Sequence, residues 1–126
     1  MIENKHNLSP WYVETSSQRL RRFGKTLEEL GELQAVVARC IIQGIGETDP
    51  SSGKLNSVRL EEEIADVYAQ LSLLVEYFDL NSEFIHFRCL DKIDQMATWD
   101  RLVEEVPSTE DWRSSSDETD WTYSGD

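Results

Sequence analysis

The clearest structural signal in the chain is VRLEEEIADVYAQLSLLVEYFD, residues 58–79. Its apolar residues recur at intervals of three and four, which is the period of an α-helix with one apolar face. The segment therefore predicts an amphipathic helix, and the residues of its apolar stripe are Leu60, Ile64, Val67, Leu71, Leu74, Val75 and Phe78.

An earlier segment, from about residue 16 to residue 43, shows the same period. Its recurring apolar residues are Leu20, Phe23, Leu27, Leu30, Val37 and Ile41. Gly44 and Gly46 follow, and residues 44–57, GIGETDPSSGKLNS, have the composition of a long loop. Ser9 and Pro10 form a further possible helix start, with serine as the cap and proline in the first turn.

A third helix is predicted from Asn81 or Ser82, either of which can cap it, to about Glu104. Its apolar residues are Phe84, Ile85, Leu90, Ile93, Met96 and Trp99. No segment alternates between apolar and polar residues as a strand does. We therefore expect an all-α helical bundle, formed by a domain of residues 1–103.

The chain is strongly acidic, and its charge is unevenly distributed. The formal net charge is −13, which disfavours direct binding to a nucleic-acid backbone, because such binding needs clustered Lys and Arg. Residues 104–126 contain eight acidic residues against Arg113 alone and carry −7 of this charge. These residues show no helical period and therefore predict a separate acidic tail. Its aromatic residues, Trp112, Trp121 and Tyr123, allow docking on the domain or on a neighbouring subunit.

The apolar segments are too short to cross a bilayer, and the polar start MIENKHNLSP does not resemble a signal peptide. Cys40 and Cys89 both fall in predicted helices, where we expect small buried thiols and not a disulfide framework. Together these features predict a cytoplasmic protein that has no membrane partner.

Two acidic runs, KTLEELGELQ (25–34) and LEEEIADVY (60–68), lie on the first and second predicted helices. Each run places two carboxylates three residues apart and therefore on one side of its helix: Glu29 with Glu32, and Glu63 with Asp66. Such runs are often ordinary solvated helix faces. If the two pairs instead face each other, they repel unless a cation neutralises them, and oxygen ligands suit Mg²⁺ or Mn²⁺.

EELGEL (28–33) followed by EEIAD (62–66) resembles the signature of the MazG-like, all-α nucleoside triphosphate pyrophosphohydrolases, including phage-type members. That signature is E-E-x-x-E in one helix and E-x-x-D in the next. Lys25 and Gly31 also agree with it, and the resemblance covers roughly residues 18–95. The loop between the motifs is longer than in the smallest members. The matching residues are Glu28, Glu29, Glu32, Glu63 and Asp66.

The resemblance implies an enzyme that holds two or three Mg²⁺ or Mn²⁺ ions and hydrolyses a nucleoside triphosphate at the α-phosphorus. The products are a nucleoside monophosphate and pyrophosphate. It also implies a homo-oligomer, either a dimer or a tetramer. Glu28 is a further catalytic candidate that holds another ion or orients the water. The implied metal ligands are Glu29, Glu32, Glu63 and Asp66.

The same resemblance suggests residues for substrate binding. Lys25, Arg88 and Lys92 are candidates for the far phosphates, and Trp11 is a candidate for stacking on the base. Each has a simpler alternative: a surface cation, an ion pair of Lys25 with Glu29, or an aromatic residue used in packing. Some phage-type members act on dGTP, so we expect a purine substrate and favour (d)GTP.

Two other function classes are open. Di-iron carboxylate bundles use two Glu-x-x-His motifs, and this chain has one match, Glu83 to His86. A non-enzymatic interaction protein that mimics the charge of DNA is consistent with the acidic composition, although about half of the excess charge is in the tail.

Overall fold

The computed structural model describes residues 12–104. This range contains three α-helices, α1 (Ser17–Gln43), α2 (Asn56–Tyr77) and α3 (Ser82–Val103), and no β-strand beyond an isolated bridge between Thr48 and Leu55. The all-α prediction is confirmed, and the helices begin and end close to their predicted bounds. The proposed helix start at Ser9 and Pro10, Trp11, and the tail from residue 105 onward lie outside the described residues.

Local sequence explains where α1 begins and ends. The Ser16 side chain accepts a hydrogen bond from the Arg19 backbone N–H, which caps the first turn. At the other end, Gly44 has φ of 103° and donates its N–H to the Cys40 carbonyl at 3.0 Å. Only glycine adopts this backbone conformation without strain, so Gly44 determines where α1 ends.

Helices α1 and α2 pack as an antiparallel hairpin. Near the start of α1, Phe23 stacks on Phe78 just beyond the end of α2, with ring centroids 4.9 Å apart. At the other end of the hairpin, the Asn56 amide donates to Gln43 Oε1 at 3.0 Å. Val36 on α1 and Val67 on α2 are buried between the helices.

Apart from Phe23, which stacks on Phe78, the residues of α1 that pack on α2 are not those of the predicted apolar stripe. The buried residues of α1 are Thr26 and Val36, and the half-buried residues on the same side are Arg22, Glu29, Leu33, Cys40 and Gln43. Leu27 is 71% exposed and Ile41 is 81% exposed, so the predicted stripe stays largely open in the single chain. Helix α1 carries two faces that can be covered, and α2 covers only one of them.

For α2 the predicted stripe does face the hairpin contact. Val67 is buried and most of the remaining stripe residues are half-buried. Leu71 is the exception, since it is 44% exposed. The amphipathic pattern of this helix therefore identified the correct side, which agrees with its being the clearest signal in the sequence.

Helix α3 follows a turn at Asp79, whose φ is 49°, and packs against neither α1 nor α2 over an extended area. It has no buried residue. Cys40 is partly buried and Cys89 is exposed, so the prediction of two buried thiols is wrong for Cys89; both thiols are free. Within residues 12–104, no helix combines the length and the apolar character needed to cross a membrane.

Candidate metal centre

The two acidic runs meet on one side of the hairpin. Glu29 and Glu32 from α1 and Glu63 from α2 each place a carboxylate oxygen within 4.8 Å of the others. We call these three residues the carboxylate cluster. They come from positions more than thirty residues apart in sequence, so only the pairing of the helices brings them together.

Packing of the hairpin explains why these carboxylates converge. Glu29 lies on the same side of α1 as the buried Val36, and its side chain is only 13% exposed. On α2, Glu63 lies one turn before the buried Val67 and is itself half-buried. The contact that buries the two valines therefore draws Glu29 and Glu63 towards each other, while Glu32 stays exposed at the edge.

Electrostatics within the cluster are unfavourable. Burial is the main cause that raises the pKa of Glu29, and the negative charge of Glu32 adds to the effect. Burial also raises the pKa of Glu63, followed by the charges of Glu32 and Asp66, while Arg59 acts in the opposite direction. The Oε2 atoms of Glu29 and Glu63 are buried and have no hydrogen-bond partner among the described residues. A bound proton or a bound metal cation would satisfy them.

Asp66 and Glu28 lie outside this group of three. Asp66 is exposed and lies three residues after Glu63 on α2, and its charge raises the pKa of both Glu29 and Glu63. The Glu28 side chain is 53% exposed and accepts a hydrogen bond from Lys25 Nζ at 3.1 Å. Lys25 Nζ also lies 3.9 Å from Glu29 Oε1, so the simple ion pairing considered for Lys25 is present.

The other substrate-binding candidates lie elsewhere. Arg88 and Lys92 are exposed on α3, where they border an apolar groove with Phe84, Ile85 and Cys89. Because α3 is not packed on the hairpin, the single chain does not bring these cations to the carboxylate cluster. Trp11 lies outside the described residues.

Two residues near the carboxylate cluster, Arg59 and Asp49, were not predicted from the sequence. Arg59 lies one turn before Glu63 on α2, and its charge lowers the pKa of that carboxyl. Asp49, in the loop between α1 and α2, is 1% exposed and lies 3.5 Å from Arg59. The i, i+4 spacing of Arg59 and Glu63 was a readable signal, whereas nothing in the sequence indicated that Asp49 would be buried.

The donor set indicates which ion the cluster could hold. Three carboxylates and no histidine or thiolate form a hard, all-oxygen set that suits Mg²⁺ or Mn²⁺ better than zinc or copper. The Glu83–His86 pair on α3 is exposed, and within residues 12–104 no second group of three such ligands occurs. The described residues thus offer no second ligand set for the di-iron alternative.

Comparison of the chain with protein-family models, with curated proteins and with solved structures finds no match.

Proposed function

We propose that the protein is a (d)NTP pyrophosphohydrolase, which cleaves a nucleoside triphosphate at the α-phosphorus to release the monophosphate and pyrophosphate. The observation that carries this proposal is the convergence of Glu29 and Glu32 with Glu63 within 4.8 Å. These residues belong to the two sequence motifs on which the resemblance to MazG-like enzymes rests. A solvated acidic face gains nothing from drawing like charges together in a partly buried site.

The residues that would hold the metal are Glu29, Glu32 and Glu63, with Asp66 as the fourth ligand. Glu29 and Glu63 fit this role best, because each has a buried carboxylate oxygen without a hydrogen-bond partner among the described residues. Two or three Mg²⁺ or Mn²⁺ ions, when bound, supply charge neutralisation for phosphate oxygens and lower the pKa of water.

Around the ligands, the chain's own residues organise the site. Lys25 forms ion pairs with Glu28 and Glu29, and these contacts orient two side chains of the first motif relative to each other. Lys25 is half exposed, so its ammonium remains accessible to an anionic substrate. Glu28 is the weaker candidate for a direct role, because its carboxylate is already paired.

We also propose that the active form is a homo-oligomer, a dimer or a tetramer. Two faces support this: the open apolar stripe of α1 and the whole of α3, on which Phe84 is 62% exposed and Trp99 is 54% exposed. A 22-residue helix without a packing partner is seldom stable in water, since helices draw most of their stability from packing. A second copy would also provide a route for Arg88 and Lys92 to reach a carboxylate cluster.

The test is a panel of dNTPs and NTPs, including dGTP, incubated with the full chain and Mn²⁺ or Mg²⁺. We expect monophosphate and pyrophosphate, with a purine as the best substrate, and no turnover in the Glu32→Ala variant. Glu61→Ala, an exposed position on the same acidic run as Glu63, is the matched control and should retain activity. Release of orthophosphate with nucleoside diphosphate, or full activity of Glu32→Ala, would refute the proposal.

Removal of residues 104–126 separates this proposal from the charge-mimic alternative. The carboxylate cluster lies wholly within residues 29–63, so the shortened chain should still bind Mn²⁺ and hydrolyse the triphosphate. A mimic of DNA would instead lose a large part of its acidic surface and its partner with it.

A further inference from the structure

The loop between α1 and α2 is organised around one buried acidic side chain. Asp49 is 1% exposed, and its carboxylate accepts hydrogen bonds from the Ser51 hydroxyl at 2.6 Å and the Ser52 backbone N–H at 3.0 Å. Its own N–H donates to the Lys54 carbonyl at 2.8 Å. The Ser51 and Ser52 hydrogen bonds hold the pKa of Asp49 well below its usual range, so this carboxylate is charged.

The loop is also fastened to both helices. Asn56, the first residue of α2, is fully buried, and its amide donates to Gln43 Oε1 at 3.0 Å and to the Gly44 carbonyl at 2.9 Å. The Asn56 backbone N–H donates to the Glu47 carbonyl at 2.8 Å. These contacts fix the loop relative to the hairpin, and therefore fix Asp49 relative to α2.

Arg59 lies one turn before Glu63 on α2 and close to the loop carboxylate of Asp49. Its Nη1 lies 3.5 Å from Asp49 Oδ2, and its side chain is 24% exposed. Within residues 12–104 its guanidinium makes no other ion pair with a carboxylate. A guanidinium has five N–H donors in a rigid fork, so most of its hydrogen-bonding capacity is still available beside Glu63.

We propose that the loop of residues 44–55 positions Arg59 through Asp49, and that the Arg59 guanidinium binds the phosphate chain of a metal-bound polyphosphate next to Glu63. This inference rests on the proposed function, because it assigns a substrate contact to the same site. Asp49 is a positioning residue, and Arg59 is a substrate-binding residue. Arginine suits this role since its planar fork can bind two phosphate oxygens at once.

Arg59 should affect metal binding and polyphosphate binding in opposite directions, and this difference makes its role testable. A cation beside the carboxylate cluster repels a bare divalent ion, so Arg59 should weaken metal binding in the absence of substrate. The same cation should strengthen binding of the anionic polyphosphate once the metal is present. A residue that merely holds the loop together would change both affinities in the same direction, or neither.

The experiment measures two affinities on the full chain by calorimetry: that of Mn²⁺ alone, and that of inorganic tripolyphosphate in saturating Mn²⁺. For Arg59→Gln we expect Mn²⁺ affinity that is unchanged or higher, and tripolyphosphate affinity that is about 10-fold to 100-fold lower. Arg59→Lys should fall between this variant and wild type. Asp49→Asn should weaken tripolyphosphate binding without weakening Mn²⁺ binding. The control is Lys54→Gln. It removes the exposed ion pair between Lys54, in the same loop, and Glu62 on α2, and it should match wild type.

Three results would overturn the inference: Arg59→Gln that binds tripolyphosphate as well as wild type, Arg59→Gln that loses Mn²⁺ and tripolyphosphate equally, or Asp49→Asn that behaves as wild type. Arg59→Lys keeps the positive charge. Intermediate binding by this variant would show that the loss in Arg59→Gln is not caused by unfolding. If the wild-type chain hydrolyses no nucleoside triphosphate but shows Arg59-dependent binding of tripolyphosphate, the proposed function fails and this inference stands.

Discussion

Replacing Glu63 with Gln tests the carboxylate cluster directly, because it removes the only member that α2 contributes. The remaining pair, Glu29 and Glu32, are both on α1, so α2 then contributes only Asp66, the proposed fourth ligand, and a bound ion links the two helices less tightly. Gln has nearly the same volume as Glu, which keeps the packing beside Val67 intact. We expect Glu63→Gln to fold normally but to lose its stabilisation by Mn²⁺.

The expected magnitude follows from linkage between binding and folding. With Mn²⁺ at 100 times its dissociation constant, the wild-type chain gains about 2.7 kcal/mol in the free energy of unfolding. For a domain of this size, that gain raises the midpoint of thermal unfolding by roughly 10–20 °C. If the substitution weakens binding about 100-fold, the gain at the same Mn²⁺ concentration falls to about 0.4 kcal/mol.

The assay is thermal unfolding followed by circular dichroism, with and without Mn²⁺, at one fixed protein concentration so that assembly does not alter the comparison. Glu62→Gln is the matched control, since Glu62 is exposed and pairs with Lys54 outside the cluster; it should respond to Mn²⁺ as wild type does. Without metal, Glu63→Gln should unfold at a higher temperature than wild type, because one of three mutually repelling carboxylates is gone. A Glu63→Gln chain that Mn²⁺ stabilises as strongly as wild type would refute the reasoning.

Three further predictions concern pH, the loop and assembly. The raised pKa values of Glu29 and Glu63 mean that the folded, metal-free chain binds more protons than the unfolded chain just above their ordinary value of 4.5. Its unfolding temperature should therefore rise as pH falls from neutrality towards the ordinary pKa of 4.5, and a fall instead would contradict the burial of these carboxylates. Asn56→Ala removes two hydrogen bonds of a fully buried amide and should lower the free energy of unfolding in urea by about 1–3 kcal/mol; no loss would mean that the loop is not fastened there. Ile93→Asp, on the exposed apolar side of α3, should yield a smaller particle in sedimentation than wild type, whereas Gln95→Asp should not, and equal particle sizes would argue against assembly through α3.

Local sequence patterns predict the three helices and place their ends to within a few residues. Periodicity, the Ser16 and Asn81 caps and Gly44 are local signals, and each acts through residues within one or two turns. The same local geometry placed Glu29 beside Glu32 and predicted that both motifs present carboxylates on one side of a helix. These features follow from the 3.6-residue period and need no knowledge of what packs on the helix.

Local patterns do not show which sides of the helices meet, because that depends on how the whole helices pack. Helix α1 has two faces that can be covered, and the choice depends on the summed packing with α2, which no window of sequence contains. That choice buries Val36 in place of the stripe of Leu27 and Ile41. It also joins Glu63 to the α1 pair, and within residues 12–104 it leaves α3 without an extended packing contact. Contacts between distant segments depend on shape and burial across both helices. For this reason the convergence of Glu63 with Glu29 and Glu32, and the contact of Asp49 with Arg59, follow from the fold and not from any local pattern.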